Sequence, residues 1–172
     1  MGLDPKPVSE SRAQLIRWMG VTDANSAGNV HGGTVMKVAD EVAGLAAVKH
    51  SRMRVVTVGM DRMNFLYPIY VGELVTFSAT VNAAWRTSME VGVRVDAENP
   101  RTGESRHTNT AYLTMVALDD QGKPTPVPGV LATSPTEKRR MREAELRRAN
   151  RLAERAQILS GREREESQRR SA

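Results

Sequence analysis

The chain has 172 residues, 40% of them hydrophobic and 26% charged, with no cysteine. That length buries a core without disulfides or metal, and the missing cysteines exclude a disulfide scaffold, a thiolate metal site and a cysteine nucleophile. The net charge of +5 belongs to the tail, because residues 1–136 carry 13 basic and 13 acidic side chains and residues 137–172 carry 12 and 7. Mixed signs fit a solvated helix rather than a nucleic-acid arm, and the tail has no aromatic residues on which bases could stack. Three histidines, His31, His50 and His107, argue against a histidine-rich metal site. No run of about 18 apolar residues marks a membrane span, and the N-terminus lacks the apolar stretch of a signal peptide. The expected location is the cytoplasm.

Residues 1–10 are polar and read as a frayed end. Residues 12–19, RAQLIRWM, form a candidate first strand, and GVTDANSAGNVHGG (20–33) is a structured loop rich in Gly, Asn, Ser and Asp. From Thr34 to about His50 the pattern is helical, with apolar residues from Val35 to Ala47 on one broad arc and Thr34, Lys37, Asp40 and Glu41 on the other. So wide an apolar arc predicts a helix mostly surrounded by protein.

After the helix the period changes to two. Residues 54–60, 73–85, 88–96 and 104–119 are rich in Val and Thr or alternate apolar with polar, as half-buried antiparallel strands do. Asn99–Gly103 supplies a hairpin turn, and DDQGKPTPVPG (119–129) ends the sheet. One helix of about 25 Å with strands of about 40 to 50 Å predicts an α+β fold in which a long, twisted sheet curls around the helix. The outer face of that sheet is left to solvent or a partner. We therefore expect a folded domain over 1–134. Residues 135–172 are expected to form a charged helical tail, started by Thr136 and protruding, with its last ten residues disordered.

Asp40 is the acid that needs explaining. It is either a surface charge near Lys37 and Glu41 or a reactive carboxylate. Glycines just before a helix expose backbone N–H groups that have no internal partners and lie at the positive end of the dipole. Such groups hold an oxyanion. A carboxylate two turns on can act as a nucleophile or as a general base for water. Asn25 adds an amide that both donates and accepts. Gly32 and Gly33 otherwise make a tight helix entry, and His31 packs or caps. The Ser-nucleophile signature G-x-S-x-G is absent.

TDANSAGNVHGGTVMKVADEVAGLAAVKH, VVTVGMDRMNFLYPIYVGELVTFSATV and TSMEVGVRV, in that order, resemble the hotdog-fold acyl-CoA thioesterases. The nearest resemblance is to brain-type cytosolic acyl-CoA hydrolases and their small bacterial single-domain relatives. It covers roughly residues 12–120 and not the tail. It implies a long antiparallel sheet wrapped around one central helix, which agrees with the pattern above. It implies that Asp40 is the catalytic carboxylate, that Asn25 assists it and that Gly32 supplies the oxyanion donor. It further implies contacts to coenzyme A from Arg86, Thr87 and Ser88, from Arg62 and Asn64, and around His31 and Gly33. The expected activity is hydrolysis of acyl-CoA to free acid and coenzyme A, without metal or cofactor. Asn25 and Gly32 of one copy are expected to face Asp40 of another, in a homodimer and plausibly in a hexamer of three such dimers. The acyl chain is expected to run past Met36, Val56 and Met60.

Two alternatives stand beside hydrolysis. A hydratase of this fold needs a closely spaced Asp-His pair, and Asp23 and His31 are eight apart. A non-catalytic acyl-CoA sensor or scaffold is compatible with the fold, which alone does not fix function.

Overall fold

A computed structural model describes residues 3–61 and 63–171, with side chains through residue 163. Short strands β1 (Lys6–Pro7) and β2 (Ala13–Trp18) lead through the loop into helix α1 (Gly32–Ser51). Then come β3 (Arg54–Met60), β4 (Asn64–Phe65), β5 (Leu74–Ala84), β6 (Ser88–Glu98), β7 (Ser105–Leu118), β8 (Val130–Leu131) and helix α2 (Pro135–Ser171). The main sheet runs β2-β5-β6-β7-β3, all antiparallel, with β4 added to β7. β1 and β8 pair in parallel and tie the N-terminus to the segment after the sheet.

The sheet curls around α1 as expected. Its inner positions Val75, Phe77, Ala79 and Val81 of β5, Met89 to Val95 of β6 and Ala111 to Ala117 of β7 meet Val35, Val38, Ala39, Val42, Ala43, Ala46 and Ala47 of the helix in one core. The alanines let the sheet approach the helix closely. At 14 residues β7 extends about 46 Å, against about 30 Å for the 20-residue α1. The 99–103 turn forms as expected: Gly103 has φ +73°, and its N–H donates to Asn99 O at 2.8 Å.

Four expectations change. First, α1 starts at Gly32 rather than Thr34, because the His31 ring caps it by accepting from Gly33 N–H at 2.9 Å. Second, α1 is not covered all round. Met36, Leu45 and Val48 are exposed on it. Third, Ser134, not Thr136, starts α2. Ser134 Oγ accepts from Glu137 N–H, and Glu137 Oε2 accepts from Ser134 N–H, with Pro135 in the first turn. This reciprocal cap satisfies two otherwise orphaned donors.

Fourth, α2 packs on this chain's own sheet, and its backbone is helical to Ser171. The reason is a carboxylate. Glu90 points outward from β6, yet it is fully buried beneath α2. Arg147 grips it at 2.7 Å, and Arg151 bridges it to Asp61. The Arg147 guanidinium also lies 3.6 Å from the Tyr112 ring centroid, while Ala144 is buried in the contact. Beyond Arg151 the side chains up to residue 163 are mostly exposed, and strong helix formers sustain the helix there.

Candidate active site

The loop before α1 is fixed by a buried acid. Asp23 accepts from Arg17 Nη2 at 2.6 Å and from Gly20 N–H at 2.9 Å, and its carbonyl accepts from His31 N–H at 2.7 Å. Asn25 Oδ1 accepts from Ala27 N–H and Asn29 N–H, at 2.9 and 3.2 Å. The acceptor half of this amide is thus consumed by the loop. Its Nδ2 donates to nothing among the described residues, so Asn25 offers a reactant a donor only.

Gly32 lies beside it. Thr34 and Val35 N–H donate to His31 O, and Gly33 N–H donates to the His31 ring. That leaves Gly32 N–H as the first-turn donor without a partner among the described residues. A side chain at 32 meets an obstacle, since its Cβ would lie 3.3 Å from Phe65 Cζ. Asn25, Gly32 and Phe65 line one open cavity of about 350 Å³, walled by residues 65–69. Arg106 braces that wall, donating to Glu73 at 2.7 and 2.8 Å and to Pro68 O at 2.7 Å. Burial pushes the Glu73 carboxyl up, but the Arg106 and Tyr70 N–H bonds outweigh it, and it lies below the ordinary value.

Asp40 stands apart from this group. Eight residues along α1 place it about 12 Å from Gly32. It is half-buried, and Lys37 pairs with Glu41 rather than with it. Its one partner among the described residues is Thr57, whose hydroxyl donates to Oδ1 at 2.6 Å. A bulge in β3, between Thr57 and Gly59, leaves Val58 unpaired. Thr57, still in register before the bulge, faces the helix on the same side as Val55, opposite Met115, whose Sδ lies 3.2 Å from Oγ1. Thr57 escaped the sequence reading. Its signal was available, because period two places Val55 and Thr57 on one face of a strand that follows the helix directly.

The remaining candidates fall into both groups. Arg86, Thr87 and Ser88 form the β5–β6 turn, with Arg86 exposed. Ser88 pairs with Val116, which pairs with Val56 next to Thr57, so this turn lies at the Asp40 end of the sheet. His31, Gly33 and Asn64 lie at the Asn25 end, where Asn64 O accepts from Asn109 Nδ2 at 3.0 Å and the neighbouring Phe65 covers Gly32. Arg62 lies outside the described residues. Met36, one turn before Asp40, is exposed, Val56 is exposed on the face of β3 opposite Thr57 and so away from Asp40, and Met60 packs on the core. No group of three or more His, Asp or Glu side chains among the described residues is placed to hold a metal. None of the described helices is long and apolar enough to cross a membrane.

A family model for the thioesterase superfamily matches residues 27–104. Over 143 residues the chain is 38% identical to the cytosolic acyl coenzyme A thioester hydrolase of Rattus norvegicus, covering 81% of this chain but only 37% of that protein. The chain thus spans little more than a third of such a relative. The whole fold is similar to that of an apo-hexameric acyl-CoA thioesterase, with TM-score 0.86 and 40% identity over 90% of this chain and 99% of that one. It is also similar to the acyl-CoA hydrolase of Staphylococcus aureus in complex with butyryl coenzyme A, coenzyme A and coenzyme A disulfide. There the TM-score is 0.84 and the identity 36%, over 92% of this chain and 96% of that one. The same S. aureus hydrolase has been solved with an aspartate, an asparagine or a threonine replaced by alanine.

Proposed function

This chain belongs to the hotdog-fold acyl-CoA thioesterases, and on that premise we propose that it hydrolyses acyl-CoA to free acid and coenzyme A at a site shared by two copies. The observation that carries the reading is the state of Asp40. It is a half-buried carboxylate with no cation beside it among the described residues, oriented through one oxygen by Thr57. A surface ion pair has no use for such an arrangement. In the S. aureus hydrolase the substituted asparagine precedes the aspartate by 15 positions and the threonine follows it by 17. Those are the separations of Asn25, Asp40 and Thr57 here.

The two-copy site follows from distance. A thioester carbonyl is attacked at its carbon and held at its oxygen, so attacking group and oxyanion donor must lie within hydrogen-bond reach of one small group. Gly32 and Asp40 of one chain are separated by about 12 Å along the same helix. A two-fold partner brings Gly32 and Asn25 of one copy to Asp40 of the other. The surface for that partner is present. Met36, Leu45 and Val48 are exposed on α1, and the edge strand β3 exposes Val56 and Val58. An open apolar edge of this kind is suited to pairing. Three such dimers give the hexamer expected from the sequence.

In the reaction, Asp40 either removes a proton from water or attacks the thioester carbon itself. The carbonyl oxygen becomes an oxyanion held by Gly32 N–H, with Asn25 Nδ2 as a further donor. The C–S bond then breaks and the coenzyme leaves as a thiolate, which takes up the proton Asp40 removed from water or, in the covalent route, one from the water that cleaves the anhydride. In the covalent route water next cleaves the anhydride formed on Asp40. The acyl chain runs along the apolar surface beside Met36.

The test is coenzyme A release from short, medium and long acyl-CoAs by wild type and Asp40→Ala. Turnover by wild type and its loss in the variant is the expected result. Equal release by both would return Asp40 to the role of a surface charge. After a single turnover in ¹⁸O water, ¹⁸O found in Asp40 would mark the covalent route.

A further inference from the structure

We infer that α2 extends the coenzyme-binding surface, with the guanidinium of Arg148 taking a phosphate of coenzyme A beside Ser88. This rests on the reading above, and it assigns a task to a helix outside residues 27–104, which the family model matches.

The argument begins with where α2 lies. It crosses the outer face of the sheet and reaches the β5–β6 turn, where Trp85 Nε1 donates to the Glu145 carboxylate at 3.0 and 3.2 Å. The Arg148 guanidinium stacks on the same indole, 4.4 Å from the ring centroid. A cavity of about 170 Å³ lies between helix and turn, lined by Trp85, Ser88, Thr114, Arg148, Arg151 and Leu152. Two arginines and two hydroxyls reach this cavity between the apolar walls of Trp85 and Leu152.

Of the two α2 cations that line the cavity, pairing singles out one. Arg147 and Arg151 are neutralised by Glu90 and Asp61, and Arg139 by Glu143. Arg148 has no carboxylate partner among the described residues, only the Trp85 face. A stacked guanidinium keeps its edge N–H groups free in a fixed plane, the geometry that suits a phosphate. Stacking also lowers the ordering cost of binding. Arg86, exposed on the adjoining turn, adds a second cation without a carboxylate partner among the described residues.

Position agrees with charge. Ser88 lies two strands from Val56 in the same register row, beside Thr57, so the cavity shares an end of the sheet with Asp40. The phosphates of coenzyme A are separated from its thioester by the long pantetheine arm, so their site lies away from the reacting carbon.

The test is calorimetric titration of the full chain with coenzyme A and with pantetheine, which has no phosphate, for wild type, Arg148→Ala and Arg148→Lys. The expected result is about tenfold weaker coenzyme A binding in Arg148→Ala, a smaller loss in Arg148→Lys, and unchanged pantetheine binding in both. Coenzyme A affinity unchanged in Arg148→Ala overturns the inference. So does an equal loss for pantetheine, which would trace the effect to a disturbed turn. Turnover is scored separately. A wild type that hydrolyses acyl-CoA while Arg148→Ala binds normally sinks this inference alone. A wild type that binds coenzyme A through Arg148 but releases none from acyl-CoA sinks the hydrolytic reading alone.

Discussion

The hydroxyl of Thr57 donates to Oδ1 of Asp40 at 2.6 Å, joining the edge strand of the sheet to an acid of the central helix that has no cation partner among the described residues. The bond fixes the carboxylate rotamer and occupies one oxygen, leaving Oδ2 for water or thioester. Replacing Thr57 by Ala or Val frees the carboxylate, and kcat is expected to fall about 10- to 100-fold, the worth of one hydrogen bond to a charged group. Thr57→Ser keeps the hydroxyl and most of the rate. A Thr57→Ala enzyme as fast as wild type would show that the bond has no part in the reaction.

A shared site makes a prediction about mixtures. Asn25→Ala and Asp40→Ala are each expected to lose most activity. Coexpressed in equal amounts, they assemble mixed dimers holding one doubly damaged and one intact site. Activity then returns to about one quarter of wild type, since half the dimers are mixed and half their sites are whole. Mixtures as inactive as the single variants would place both residues in the site of one copy.

The buried clamp under α2 governs stability rather than chemistry. Arg147→Ala leaves Glu90 fully buried with only Arg151 and Asn82 beside it. Stranding a buried charge costs about 3 to 5 kcal/mol, and denaturant titration should report a loss of that order. Glu90→Gln with Arg147→Met removes both charges and should recover much of the loss. A single variant as stable as wild type would show that α2 contributes little to the fold.

Acid should loosen two places. The Ser134 and Thr133 N–H bonds pull the Glu137 carboxyl down to about 2 from an ordinary 4.5. This contribution is full at neutral pH and is lost as pH falls through that interval. Hydrogen exchange at the start of α2 should rise accordingly, and Glu137→Gln should show the fast exchange already at neutral pH. At the other end, burial holds the His50 imidazole below its ordinary 6.5, against the Pro128 carbonyl bond that favours the proton. The unfolded chain therefore binds a proton that the folded one resists, and stability declines as pH drops below about 6.5. His50→Gln should flatten that part of a thermal-midpoint profile; an unchanged profile would assign the decline to other groups.

The sequence by itself determined the elements and their faces. Period two in residues 73–118 and the broad apolar arc of 34–50 are local consequences of strand and helix geometry, so one helix inside a long antiparallel sheet was legible before any coordinates. The family motif marked Asn25, Gly32 and Asp40. Tertiary structure decided what these residues have for neighbours. Thr57 reaches Asp40 only because β3 pairs with β7 along the flank of α1, and that placement depends on tertiary pairing rather than on local propensity. The Asn25 amide has only its donor left because the loop consumed the acceptor, and Gly32 keeps the free N–H because the His31 ring took that of Gly33. The tail was misread for the same reason. Its own residues describe a solvated charged helix, while its placement depends on Glu90, some 57 positions earlier, whose burial no one-dimensional pattern displays.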